Sequence, residues 1–426
     1  PDAPAAMRAH PPGRVSIDDG EREKADTARR AADAADPSCA PAQALLGELL
    51  LLRSGLQEIN SGRPFAFDRQ AAEEAVAALG AAYAADPSDR ESARQRFSTV
   101  DTLAKIGAAS DQLLAQTARD AWEWLHVEPK DAQAAAAIGF HAYRRGRLAA
   151  ASALNRRFQR RFSRDEVRGH HELGIWAMLR ADARFLDGLE SGDAAAARLA
   201  PLDVLGEPFA EDGAPAIMMS CDDRYFRRFA PDMLESLARR MPGAAVAFHV
   251  VNPSLESLEE LAAWRRDKRL SFGCSVERVD FSDWPDAKRL SYYAAGRFVR
   301  AYQWYRRLGR PLIVLDVDAT VNADLRTLAR EMAGCDVGLL IDPRGRGPSR
   351  DITVCFNYYN DTAGGEAYLS RTAAYIAWFL TQPDAYWLLD QTAHYAVYWR
   401  MTQRGALKVR RYDFLNFPHC AFIGAK

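Results

Sequence analysis

The sharpest chemical signal in the chain is the run Leu312-Ile313-Val314-Leu315-Asp316-Val317-Asp318-Ala319-Thr320-Val321, in which apolar residues lead straight into two aspartates one residue apart. If the backbone stays extended there, side chains alternate, so both carboxylates point to one side and Val317 to the other. Two unpaired carboxylates at a strand end repel each other. A hard divalent cation removes that repulsion and takes oxygen ligands of this kind; a purely structural pair would need cationic or N–H partners for both. A second cluster, Ser220-Cys221-Asp222-Asp223-Arg224-Tyr225, ends another apolar run. It offers an acid for a base N–H and an aromatic ring for a uracil or ribose face. The same letters also suit a polar turn that opens a helix.

These residues need a scaffold. Apolar runs at 216–220, 245–251 and 311–317 alternate with amphipathic stretches at 228–240, 254–266 and 291–308. That grammar predicts a mainly parallel sheet with helices on both faces. In such sheets ligands bind beyond the carboxyl ends of the strands, where both acidic clusters fall.

The chain ahead of this region reads differently. From about Asp19 to Leu199 it is rich in Ala, Leu, Glu and Arg, the composition of packed helices. Ala-Ala-Asp-Pro-Ser occurs at 34–38 and 84–88, and Val-Glu-Pro-Lys-Asp follows at 127–131. Each Pro can end one helix and open the next. Their spacings, roughly 50 and 42 residues, suit helical hairpins resembling tetratricopeptide repeats but longer, or a plain bundle. The stretch 132–162 is the most repeat-like, with Ile138, Tyr143, Leu148 and Leu154 as packing residues and Gly146 at a turn. Residues 192–215, with Pro201, Pro208, Pro215, Gly192, Gly206 and Gly213, read as a linker. The expected organisation is therefore a disordered or linking segment 1–18, an all-α domain 19–200, a linker 201–215 and an α/β domain 216–426.

Over roughly residues 214–426 the sequence resembles nucleotide-sugar glycosyltransferases with the GT-A fold, a Rossmann-like architecture, and most closely glycosyltransferase family eight. Asp222, Asp223 and Tyr225 match the family's nucleotide-binding element, and Asp316 and Asp318 match its Asp-x-Asp motif for manganese and the donor diphosphate. Arg297 matches an arginine that reaches the donor, and Asp390-Gln391 a pair close to the transferred sugar. His419, Gly424 and Lys426 match a terminal group in which His completes the metal site and Gly and Lys meet the phosphates. The chain departs from the family in carrying Phe356-Asn357-Tyr358-Tyr359-Asn360 where Asn-Ala-Gly or Asn-Ser-Gly is usual, and in a longer step from His419 to Gly424.

The resemblance implies transfer of a sugar from a nucleotide donor, UDP-linked by expectation, with Mn2+ or Mg2+ held by Asp316, Asp318 and His419. The cation serves as Lewis acid for the departing diphosphate, assisted by Arg297 and Lys426. Asp390 and Gln391 would stabilise positive charge on the sugar. The aromatic residues Trp378, Tyr386, Trp387, Tyr395, Tyr398 and Trp399 suit either a sugar-stacking wall or a helix core, and Pro343 to Arg350 either a lid or a solvated loop. The helical half is expected to select an acceptor glycan, lipid or protein, or to bind a protein partner.

Two rival readings remain. Asp316-Val317-Asp318-Ala319-Thr320 also fits the nucleophile motif of haloacid-dehalogenase-type phosphatases, although a long strand-helix region precedes it and no second acidic pair of the required kind follows. The other rival is a non-catalytic helical-repeat binding protein. With 56 basic and 57 acidic residues in 426, net charge −1 at pH 7, nothing points to nucleic acid. No apolar run reaches the roughly 20 residues of a membrane span, and 1–20 is polar rather than signal-like. Six scattered cysteines without a CxxC pair suit a reduced protein, so the expected location is the cytoplasm, free or at the cytoplasmic face of a membrane.

Overall fold

The structure, a computed structural model, describes residues 27, 39–56, 67–163, 166–167, 171–208, 214–383 and 385–422. The first repeated turn, 34–38, lies outside them. The chain divides into two compact units, Pro1–Arg144 and Arg145–Lys426.

Among the described residues the first unit consists of helices α1 (Ala40–Ser54), α2 (Arg69–Ala85), α3 (Arg90–Lys105), α4 (Asp111–Val127) and α5 (Ala132–Arg144). Side chains of Asp68, Asp89 and Ser110 accept backbone N–H groups that α2, α3 and α4 leave open at their first turns. The two proline turns at 84–88 and 127–131 separate helices, as their sequence suggests. In the second, Asp131 accepts both the Trp124 indole N–H at 2.9 Å and the Ala134 N–H at 2.9 Å. One carboxylate thus caps α5 and satisfies the polar edge of the largest buried ring of α4.

Among the described residues the second unit opens with helices that include α6 (Leu148–Gln159), α7 (His171–Met178), α8 (Ala183–Asp187) and α9 (Gly192–Ala196). The sheet follows: β1 (Asp203–Gly206), β2 (Ala216–Asp222), β3 (Ala245–Val251), β4 (Ser271–Glu277), β5 (Leu312–Leu315), β7 (Val337–Ile341), β8 (Ile352–Tyr359) and β9 (Val409–Asp413), in spatial order β1-β4-β3-β2-β5-β8-β7-β9. A separate two-stranded ribbon pairs β6 (Ala319–Val321) with β10 (Cys420–Phe422). The intervening helices are α10 (Asp223–Arg240), α11 (Leu255–Arg266), α12 (Asp286–Leu308), α13 (Leu328–Glu331), α14 (Ala363–Leu380) and α15 (Leu389–Gln403). Strands β4, β3, β2 and β5 are parallel neighbours, whereas β1 and β8 run antiparallel to theirs. The sheet is mainly parallel, as the alternation of runs predicts.

Every residue of β3 is buried, because helices cover both faces. Ile217 and Met219 of β2 and Val246 and Phe248 of β3 share one apolar cluster with Phe226, Met233 and Leu237 of α10. His249 of β3 faces the opposite side, toward α12.

Of residues 192–215, read as a linker, described ones on both sides of Pro201 form regular structure. Ser191 caps α9, and Asp203–Gly206 adds an edge strand antiparallel to β4. A four-residue strand is too short for its alternation to be read, and its fit depends on a distant glycine: a Cβ at Gly273 would meet Pro208 at 2.4 Å. The helices before it, assigned by sequence to the all-α half, belong to the unit that contains the sheet. Gly192 N–H donates to Ser370 Oγ at 2.9 Å, Arg371 donates to the Leu186 carbonyl at 2.9 Å, and Arg180 N–H donates to the Tyr375 hydroxyl at 2.7 Å.

A prediction follows. A fragment spanning 145–426 should stay soluble, with a single cooperative melt. One starting near Glu211 strips α6 to α9 from α14, where Leu369 and Tyr375 are fully buried, and should aggregate. Size-exclusion chromatography with circular dichroism decides this; a monomeric, folded 211–426 would contradict the division.

Candidate active site

The candidate site lies at the carboxyl end of the central strands. Register pairs Met219 of β2 with Leu315 of β5, so the next residue of each, Ser220 and Asp316, lie side by side. Strand β5 stops at Leu315, Asp316 N–H donates to the Cys355 carbonyl of β8 at 3.0 Å, and the chain turns at Val317-Asp318 into β6. The expectation of an extended Asp-Val-Asp segment with alternating side chains is therefore corrected. A turn, not strand alternation, sets the two carboxylates near each other.

Arg297, on the buried face of α12, organises the first half of the site. Its guanidinium donates to Asp316, to Asp390 at 3.3 Å and to the Val354 carbonyl at 3.2 Å. Burial alone would lower the Arg297 pKa, but the adjacent Asp316 and Asp390 charges outweigh it and raise it. Asp390 is 5% exposed, and burial raises its pKa despite the arginine. It stands in the first turn of α15, two residues after Leu388, whose φ of 70° lies in the left-handed region. That conformation costs a non-glycine residue about 1–2 kcal/mol, and such strain concentrates where a side chain must be aimed. Gln391 is best satisfied with its amide nitrogen on the carbonyls of Ser349 at 2.9 Å and Ile352 at 3.3 Å.

The second half gathers around Asp318. Its carboxylate has no hydrogen bond to another side chain and no ion pair among the described residues, and its pKa is raised by burial first and then by Asp316. The phenol of Tyr225 feels the same charges. Burial first, then Asp318, Asp222 and Asp316, push its pKa up against the opposing Arg228. Asp222 caps α10, accepting Tyr225 N–H at 2.9 Å. Asp223 is committed elsewhere: one oxygen accepts Ser254 N–H at 2.7 Å and Ser257 O–H at 2.6 Å, and the other meets Arg227 at 3.2 Å. It ties α10 to the start of α11.

His419 lies beside the two-stranded ribbon: Asn322 N–H donates to the His419 carbonyl at 2.8 Å, which continues the β6–β10 register. Its Nδ1 is buried with no hydrogen-bond partner among the described residues, and its ring packs 5.1 Å from that of Phe417. Among the described residues, no three His, Cys, Asp or Glu side chains converge in a geometry that could hold a metal ion. Asp318 and Asp316 alone fit a hard cation whose other ligands are phosphate oxygens and water. Gly424 and Lys426 lie outside the described residues.

The aromatic residues do not form one wall. Tyr386 is buried, Trp387 is 48% exposed beside the strained Leu388, Trp378 packs on Phe185 and Phe379, and Tyr395 on Tyr398. The 343–350 segment is neither open nor unpartnered. Asp342 pairs with Arg344 at 2.6 Å and Arg346 at 3.4 Å, while Asp351 accepts Gly347 N–H at 2.9 Å.

The sequence reading missed the support behind Arg297. Glu277, at the end of β4, accepts from His249 Nε2 at 3.0 Å, from the Tyr292 hydroxyl at 2.8 Å and from Arg300. His249 also meets Ser275 Oγ at 3.0 Å, and Trp304 donates to the same oxygen at 3.1 Å. Tyr292 and Arg300 lie on α12 either side of Arg297. The available signal was polar letters inside apolar runs, His249 in Ala-Val-Ala-Phe-His-Val-Val and Glu277 closing Cys-Ser-Val-Glu.

No family model matches the chain, and no curated protein does. Among solved structures it is similar to the bifunctional glycosyltransferase WbbM in its apo form, at 15% identity over 48% of this chain and 39% of that one, with a TM-score of 0.34. It is similar to the galactosyltransferase LgtC in complex with donor and acceptor sugar analogs, at 16% identity over 46% and 72%, with a TM-score of 0.31. It is also similar to mouse xyloside xylosyltransferase 1 in its apo form, at 16% identity over 47% and 85%, with a TM-score of 0.29. The chain thus spans well under half the length of WbbM.

Proposed function

We propose that the chain is a glycosyltransferase that moves a sugar from a nucleoside-diphosphate donor, with UDP as the expected nucleotide, to an acceptor, using Mn2+ or Mg2+. The observation that carries this reading is the buried Arg297 between Asp316 and Asp390, next to the unpaired Asp318 at the carboxyl end of the central strands. The order of the matching sequence elements supports it. Breaking a bond between an anomeric carbon and a diphosphate leaves negative charge on the phosphate and positive charge on the sugar. A site with one fixed cation, one unpaired carboxylate and one buried carboxylate offers partners for both.

In this reading Asp318 and Asp316 hold the cation, and His419 is the remaining candidate ligand. The bound cation supplies Lewis-acid stabilisation of the departing diphosphate. Arg297, fixed by two carboxylates and a carbonyl, adds positive charge without reorganising at the moment of reaction. Asp390 faces the sugar through the same arginine. With its nitrogen committed to two carbonyls, Gln391 presents its oxygen to the developing oxocarbenium. Asp222 and Tyr225 receive the nucleotide, Asp223 positions the helices around them, and Lys426 assists at the phosphates. The helical first unit selects the acceptor glycan, lipid or protein.

Calorimetric titration of the whole chain with UDP or GDP, each with Mn2+ or Mg2+, tests the reading. One nucleotide should bind only with metal present and, at about 100 times its dissociation constant, add roughly 2.7 kcal/mol to stability. Absence of binding with both nucleotides and both metals would sink it.

A further inference from the structure

A cavity of about 480 Å³ opens beside α8 and the last turns of α14, lined by Arg180, Asp182, Arg184, Phe185, Arg198 and Trp378 together with Glu190. None of these residues belongs to the Asp316 cluster. The volume falls in the range of small-molecule sites, and the lining combines flat rings with charged forks. The rings of Phe185 and Trp378 meet edge to face at 5.1 Å. The Arg180 guanidinium lies 4.3 Å from the Phe185 ring centre and 5.4 Å from that of Trp378.

The charges do not balance. Asp182 accepts Phe185 N–H at 2.9 Å and pairs with Arg156 at 2.9 Å and Arg180 at 3.3 Å; these partners together hold its pKa below the usual value even though burial would raise it. Glu190 pairs with Arg198 at 2.8 Å. The Arg184 side chain, exposed at the rim, has no hydrogen bond or ion pair among the described residues. Three guanidiniums therefore line the cavity against two carboxylates, one of which a fourth arginine already serves.

An apolar ligand would desolvate these ions without replacing their partners. A small inorganic anion would answer Arg184 but leave the aromatic wall unused. A pyranose ring meets both demands. Its C–H face packs on an aromatic ring, its hydroxyls donate to carboxylates and accept from guanidiniums, and an attached oxyanion makes a charge-assisted pair with a planar guanidinium. We propose that this cavity binds an anionic saccharide, a sugar bearing one carboxylate or phosphate, at a site separate from the Asp316 cluster. The proposal stands on the cavity alone and does not require the transferase reading.

Isothermal titration of the whole chain with glucose 6-phosphate, glucuronate, glucose and inorganic phosphate tests it. At least one of the two sugar acids should bind, with glucose and inorganic phosphate weaker by about tenfold or more. Preference for the phosphate or the carboxylate identifies the oxyanion. Arg184→Gln, a surface change, should weaken the sugar acid by about tenfold or more, as loss of a hydrogen bond to a charged group does. The same variant should leave the UDP titration with Mn2+ unchanged. Three results overturn the proposal: neither sugar acid binds, inorganic phosphate binds as tightly as the sugar acids, or Arg184→Gln leaves their affinity unaltered.

Discussion

Asp318→Asn is expected to lower turnover by about a hundredfold or more while leaving the fold intact, because one preorganised electrostatic contact to a transition state is typically worth that much. The substitution keeps the shape of a side chain that is only part-buried and has no side-chain partner to lose among the described residues. It removes the charge most available to a cation, since Asp316 is already engaged by Arg297. The melting temperature of the free protein should hold or rise slightly, because Asp318 and Asp316 repel each other and Asp318 is partly desolvated. The metal-dependent stabilisation by nucleotide should disappear. Thermal melts with and without UDP and Mn2+, beside a turnover assay, check both. Full activity in the Asn variant would remove Asp318 from the site.

Arg300→Met is expected to cost about 3–5 kcal/mol of stability, the usual consequence of stranding a buried partner charge. Arg300 is 1% exposed and Glu277 3%. Burial alone would raise the Glu277 pKa, but the hydrogen bond from His249 and the charges of His249 and Arg300 hold it below the ordinary glutamate range. A carboxyl with a depressed folded pKa contributes stability that is present above its unfolded value, near 4.3. That contribution is lost as pH falls through the lower folded value. The gap between wild type and Arg300→Met should therefore be widest near neutral pH and narrow in acid as Glu277 takes up its proton. His249, whose pKa is lowered by burial and further by the Arg300 charge, is neutral over the upper part of this range; without Arg300 it takes up its proton more readily, which narrows the gap further in acid. Urea denaturation at several pH values reads the difference; a constant gap would mean that Glu277 is not the partner Arg300 serves. Because Tyr292 and Arg300 flank Arg297 on α12, the surviving folded variant should also bind nucleotide less tightly.

How much of this was legible depended on whether the cause was local. Strands β2 and β3 could be read because helices cover both faces, so their runs are buried nearly throughout and mostly apolar. The proline turns at 84–88 and 127–131 could be read because proline acts on its own backbone. The geometry at Asp316 and Asp318 could not. The end of β5 is fixed by the Cys355 carbonyl, and the direction of the following turn by a ribbon with Cys420–Phe422, both remote in sequence. Arg297, Asp390 and Gln391 were visible only through resemblance to a family pattern, since no periodicity singles them out. The Glu277 network escaped because a polar residue inside an apolar strand reads as an imperfection until its partners on α12 are known. The edge strand at 203–206 was hidden among glycines and prolines whose letters read as a linker.

The most direct test of the central claim is a screen of nucleotide sugars with the whole chain and Mn2+, reading release of nucleoside diphosphate. One donor should be cleaved slowly without acceptor, in a metal-dependent reaction that Asp318→Asn reduces by about a hundredfold or more. If no donor is cleaved, and the chain instead releases phosphate from a phosphomonoester with Asp316→Asn the more damaging change, the site is a phosphatase's and the account given for it is wrong.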